Sequence, residues 1–181
     1  AQRCIMEAVK VIRQAIAEAG ANENLVSCIS IPTMEATDTL MHHRDVALIL
    51  ATGGSAMVRA AYSSGTPAIG VGPGNGPAYI ERSCDLPLAV KRILDSETFD
   101  NGTICASEQS IICDEDMVEP VMAELKKQGA YILDQEESEK LGKFILRANG
   151  TMNPEIVGKS VETIAKLAHL DKVPKDARVL I

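Results

Sequence analysis

Apolar residues recur at helical spacing across Arg3–Ala19, at Ile5, Ala8, Val9, Ile12, Ala15 and Ile16. That spacing predicts an amphipathic helix, with Gly20 as its stop. Leu25–Ile31 is a short apolar run closed by Pro32 and reads as a strand. Thr33–His42 reads as a helix with Thr33 as its N-cap. Val46–Leu50 is apolar throughout, as expected of a strand covered on both faces. A small-residue helix follows, from Ser55 through Tyr62, and Pro67–Val71 is a second buried strand. Asp85–Thr98 is helical, with Pro87 tolerated in its first turn.

After about Asp100 the pattern restarts. Ser110–Cys113 and Ala130–Leu133 read as strands, and Arg178–Ile181 as the opening of another. Glu115–Gln128, Glu136–Asn149 and Ser160–Leu170 read as helices. Alternating helices and buried strands imply parallel strands in an α/β layer. The domain boundary falls near Phe99–Gly102. The chain begins inside a helix without a Met and stops inside a strand, the pattern expected of a fragment.

Composition narrows the function classes. With 181 residues and aromatics at 3%, the core must be aliphatic. A net charge of -7 argues against nucleic-acid and anionic-membrane partners, which do not attract an acidic protein. No apolar stretch reaches the roughly 18 residues of a membrane span, and no signal peptide is visible. Five cysteines, an odd number without metal-type spacing, favour a reducing, cytoplasmic setting.

Three segments carry candidate chemistry. Thr52-Gly53-Gly54-Ser55 joins a strand to a helix, where glycines and free helix N–H groups suit a phosphate; taken alone, the residues favour a plain tight turn slightly. Gly70-Val71-Gly72-Pro73-Gly74-Asn75 marks either a sharp reversal or a close backbone approach to a ligand. In Asn101-Gly102-Thr103-Ile104-Cys105-Ala106-Ser107 the thiol lies among small and polar residues, better placed for reactivity than one in an apolar strand, although most free cysteines are small core residues. Cys4, Cys28, Cys84 and Cys113 fit the packing role. His42, His43 and His169 close helices, and Glu136-Glu137 reads as solvated surface.

Taken in order, Ile49–Gly54, Ala60–Gly65, Gly70–Asn75 and Thr98–Ser110 resemble the CoA-acylating aldehyde dehydrogenases. The likeness is strongest to the aldehyde dehydrogenase half of bifunctional aldehyde–alcohol dehydrogenases. The resemblance implies an aldehyde-dehydrogenase-like α/β fold. Residues 1–99 would be the C-terminal portion of a parallel-sheet NAD-binding domain, and 100–181 the first portion of an α/β catalytic domain. It implies Cys105 as the nucleophile, Thr52, Gly53, Gly54 and Ser55 beside the NAD pyrophosphate, and Gly72 and Gly74 near the nicotinamide, with no metal. The implied reaction is aldehyde plus NAD plus coenzyme A giving acyl-CoA plus NADH, reversibly. The implied partners are a small aldehyde, acetaldehyde foremost, CoA, and further copies of the chain in a homo-oligomer. Hydrolytic relatives keep a glutamate where this chain has Val71, so the base that activates water is missing. The family's earlier strands and its oxyanion-hole asparagine are expected upstream of Ala1 and its later catalytic segments beyond Ile181. A second class stays open: a non-catalytic nucleotide-binding or assembly segment. A cysteine hydrolase without NAD would need a histidine base, and no histidine lies in a recognisable motif.

Overall fold

The computed structural model describes residues 2–181, which fall into two compact units, one ending at Pro73 and the other spanning Gly74–Ile181. The first unit contains α1 (Gln2–Glu18), α2 (Met34–Met41), β1 (Ile49–Thr52), α3 (Ser55–Ser63) and β2 (Ala68–Val71). β1 and β2 pair in parallel, with Leu50 opposite Ile69 and Thr52 opposite Val71, so β1–α3–β2 is a right-sized crossover unit. Met41, Ala51 and Ala61 form its small core with Ile49 and Ala68 packed against them.

The second unit contains β3 (Gly76–Ile80), α4 (Leu86–Thr98), β4 (Glu108–Cys113), α5 (Val118–Lys127), β5 (Ala130–Tyr131), α6 (Gln135–Ile145), α7 (Val161–Leu167) and β6 (Val179–Leu180). β3 pairs with β4 and β5 with β6, both in parallel. Ile80, Val90, Ile93, Leu94, Val121, Leu125, Ala130 and Val179 make the main core, with Cys84 and Cys113 packed on it. A satellite cluster gathers Ala165, Ala168 and Leu170. The α/β class with parallel strands is as the sequence predicts.

Local chemistry explains where the helices start. Thr33 Oγ1 accepts from the Ala36 amide, Asp85 from Leu88, Asp134 from Glu137 and Ser160 from Thr163, each satisfying a first-turn donor. Pro87 sits in the first turn of α4, where its missing N–H costs nothing.

Several predicted strands differ. Leu25–Ile31 forms no strand: a short 3-10 turn, Glu23–Leu25, leads into irregular chain, and no strand lies alongside it among the described residues. An apolar run without a partner for its N–H and C=O groups gains nothing from strand geometry. The strand expected over Val46–Leu50 is shifted to Ile49–Thr52, and only one of its faces is covered. β3 lies where only a glycine-rich turn is predicted, and β4 starts at Glu108 rather than Ser110. The predicted Glu115–Gln128 helix begins with a 3-10 turn, Glu115–Met117. The helix predicted to Asn149 ends at Ile145, because Leu146 turns extended and bridges Met152. No helix of the described residues is long and apolar enough to cross a membrane.

Candidate active site

In the first unit, β1 delivers the chain into Thr52 and Gly53, and the Gly53 amide donates to the Val71 carbonyl at the end of β2. Gly54 is the N-cap of α3, and no side chain caps that helix. A serine or aspartate there would occupy the first-turn donors; glycine leaves them free, together with the positive end of the helix dipole. A Cβ on Gly54 would meet nothing within 4 Å, and one on Gly53 would touch only Met57, at 3.6 Å. Thr52, Gly53, Gly54 and Ser55 are all exposed.

The glycines of Gly70-Val71-Gly72-Pro73-Gly74 have separate roles. A Cβ on Gly70 would lie 2.5 Å from Val58 Cγ1 and 2.9 Å from Tyr62 Cε2, while the Gly70 amide donates to the Tyr62 hydroxyl at 2.9 Å. Gly70 is therefore bare so that α3 can pack on β2. Gly72 has open space around it, with nothing within 4 Å of a built Cβ. Gly74, in the second unit, faces the backbone of Cys105 itself: a Cβ there would lie 2.6 Å from the Cys105 carbonyl oxygen.

In the second unit, α4 ends at Thr98 and the chain enters a strained turn. Asp100, Asn101 and Gly102 have φ of 51°, 52° and 69°, three consecutive left-handed residues of which only glycine adopts that region without cost. The turn is held by Thr103 Oγ1, which donates to Asp100 Oδ2 at 2.6 Å, and by Asn101 Nδ2, which donates to the Gly158 carbonyl at 3.1 Å. Cys105 follows, exposed, inside a turn closed by the Ser107 amide donating to the Ile104 carbonyl at 3.0 Å. Ser107 is 2% exposed and its hydroxyl donates to the Ser96 carbonyl of α4 at 3.2 Å. A solvent-facing thiol is thus carried on a segment fixed at both ends.

The other cysteines differ in setting. Cys84 and Cys113 are half-buried against the core, and Cys4 and Cys28 are exposed on irregular or helical surface of the first unit. His42 Nδ1 donates to the Asp38 carbonyl at 2.9 Å and His43 Nδ1 accepts from the Asp45 amide at 3.3 Å, so both serve local turns. Glu137, expected on the surface, is 5% exposed and completes a capping box with Asp134. Sequence reasoning also passed over Gly76, Ser107 and the Asn101–Gly158 bond. The density of glycines at 74 and 76, just before β3, was the available signal, since bare positions there mark a close backbone approach.

The sequence pattern of the aldehyde dehydrogenase family matches residues 6–175. Over 188 aligned residues the chain is 44% identical to aldehyde-alcohol dehydrogenase 2 of Entamoeba histolytica, covering 99% of this chain and 22% of that protein. A probable aldehyde dehydrogenase of Listeria monocytogenes EGD-e superposes with a TM-score of 0.94 at 62% identity, covering 99% of this chain and 39% of that one. Propionaldehyde dehydrogenase of Rhodopseudomonas palustris, solved with bound CoA and an acylated cysteine, gives a TM-score of 0.80 at 32% identity, covering 93% of this chain and 38% of that one. The chain spans about a fifth of the length of the curated relative and about two-fifths of the solved ones.

Proposed function

The chain belongs to the aldehyde dehydrogenase family, and from that premise we propose that it carries the nucleophile and part of the NAD site of a CoA-acylating aldehyde dehydrogenase. The observation that carries the reading is Cys105: an exposed thiol on a turn whose flanks are fixed by Asn101 and Ser107. The acylated cysteine and bound CoA of the Rhodopseudomonas palustris relative support it.

The Cys105 thiolate adds to the aldehyde carbonyl carbon. Loss of hydride from that carbon leaves a thioester on Cys105, and the thiol of CoA displaces the cysteine to give acyl-CoA. NAD supplies the hydride acceptor when bound. The uncapped first turn of α3, with Thr52, Gly53, Gly54 and Ser55 around it, fits a pyrophosphate, and the open space at Gly72 fits the nicotinamide end. Val71 has no proton-accepting group, which supports release to a thiol rather than to water. In this reading residues 1–99 belong to the NAD-binding domain and 100–181 to the catalytic domain; the substrate is a small aldehyde such as acetaldehyde, and the enzyme is a cytoplasmic homo-oligomer.

The test uses the full-length enzyme. Incubation with acyl-CoA followed by peptide mass spectrometry should place the acyl group on Cys105. With aldehyde and NAD but no CoA, one equivalent of NADH should form and then stall, and NADP in place of NAD should support slower turnover. An adduct on another cysteine, or steady NADH production without any thiol, would sink the proposal.

A further inference from the structure

Gly74 and Gly76 both face the segment that bears the nucleophile. A Cβ on Gly74 would lie 2.6 Å from the Cys105 carbonyl oxygen, 3.6 Å from its carbonyl carbon and 3.8 Å from Cys105 Cβ. A Cβ on Gly76 would lie 2.9 Å from the Ser107 carbonyl oxygen and 3.8 Å from that of Ala106. Carbon and oxygen atoms do not approach so closely, and the obstacle is backbone, which cannot swing aside as a side chain can. The segment has little room to retreat. Ser107 is buried and tied to Ile104 and to Ser96 of α4, while Asn101 ties the upstream turn to Gly158. Gly76 also opens the β3–β4 ladder opposite Glu108, at an irregular step before Pro77. A collision at Gly74 or Gly76 is therefore passed to the exposed residues between those ties, the Cys105 turn.

We propose that Gly74 and Gly76 form a side-chain-free seat that sets the position of Cys105, acting as positioning residues for the nucleophile. The inference rests on Cys105 being the nucleophile. It gives Gly74 a role apart from cofactor contact and separates it from Gly72, whose surroundings are open.

The test compares Gly74→Ala, Gly76→Ala and Gly142→Ala in the full-length enzyme. Gly142 lies in α6 with nothing within 4 Å of a built Cβ, so alanine there should leave activity unchanged. Three quantities are read: the rate at which iodoacetamide alkylates Cys105 without any ligand, kcat, and the Kd for NAD. Gly74→Ala should slow alkylation and lower kcat by about tenfold or more, since small misplacements of a reacting atom are that costly. Its Kd for NAD should stay within about twofold. Gly76→Ala should move the same two rates in the same direction by less. A folded Gly74→Ala enzyme with unchanged alkylation and kcat, or with a loss confined to NAD affinity, overturns the seat. If Gly74→Ala does not fold, Gly76→Ala decides: native-like thiol reactivity there overturns it as well. Alkylation does not depend on turnover, so failure of the seat and failure of the nucleophile reading are separately visible. The latter shows as an unmodified Cys105 after acyl-CoA treatment of the wild-type enzyme.

Discussion

Glu97 and Glu108 flank the Cys105 segment, and each keeps one carboxylate oxygen buried without a hydrogen-bond partner. Burial pushes the Glu97 carboxyl above its usual range, and the nearby charge of Glu108 adds to the shift. An acid whose folded pKa is raised favours folding while protonated, and that contribution is lost as pH rises through the folded value. Ionising Glu97 therefore works against the folded state. Glu97→Gln should raise Tm at pH 7 by about 2 °C and change little well below the carboxylate range. A lower Tm at pH 7, followed by calorimetry, would refute this. At this scale the sequence was informative where a residue's neighbours along the chain set its chemistry: the small and polar company of Cys105 is visible in Asn101–Ser107, and the thiol is exposed. It was uninformative where the neighbour is distant in sequence. Gly70, Gly72 and Gly74 look alike as letters, yet one faces Tyr62, one faces nothing and one faces Cys105.

Helices were more legible than strands because their stop and start signals are local. Thr33, Asp85, Asp134 and Ser160 each accept from the amide of the third residue of the helix they open. A strand has no such signal and needs a partner. Leu25–Ile31 has strand composition but no pairing strand among the described residues, whereas Gly76–Ile80 begins with two strand-averse residues and still pairs along β4. The box at the start of α6 gives a sharp contrast between adjacent acids. Glu137 accepts from the Tyr131 hydroxyl at 3.1 Å and from the Asp134 amide at 3.1 Å, and its own amide donates to Asp134 Oδ1 at 2.9 Å. Glu136 instead makes an exposed ion pair with Lys140 at 2.7 Å. Glu137→Ala should cost about 1–2 kcal/mol by leaving the half-buried Tyr131 hydroxyl and the Asp134 amide without their acceptor, and Glu136→Ala markedly less. Urea unfolding of both variants distinguishes them, and equal costs would show that the capping box does not hold the helix.

Two of the three parallel pairs, β1–β2 and β3–β4, present one face to their core and leave the other bare. On β1–β2 the directly opposed Leu50 and Ile69 are 72% and 54% exposed, and on β3–β4 the opposed Tyr79 and Ile112 are 58% and 51% exposed. Parallel sheets are covered on both faces in stable proteins, and the wholly apolar Val46–Leu50 predicts such cover. Within its own unit that strand has only one face covered, and the other is left to associate. Two-stranded pairs are also marginal by themselves, and exposed apolar pairs beside unpaired strand edges are templates for association. The 181-residue chain, purified alone, should therefore sediment as dimers or larger species at about 50 µM, within the micromolar-to-millimolar range in which exposed apolar surface and unpaired strand edges drive association. Introducing Leu50→Lys with Ile69→Lys, or Tyr79→Lys with Ile112→Lys, should shift the distribution toward monomer, because both pairs already face solvent and no core contact is lost. A wild-type chain that sediments as a monomer and stays so on gentle warming would mean that these faces need no cover.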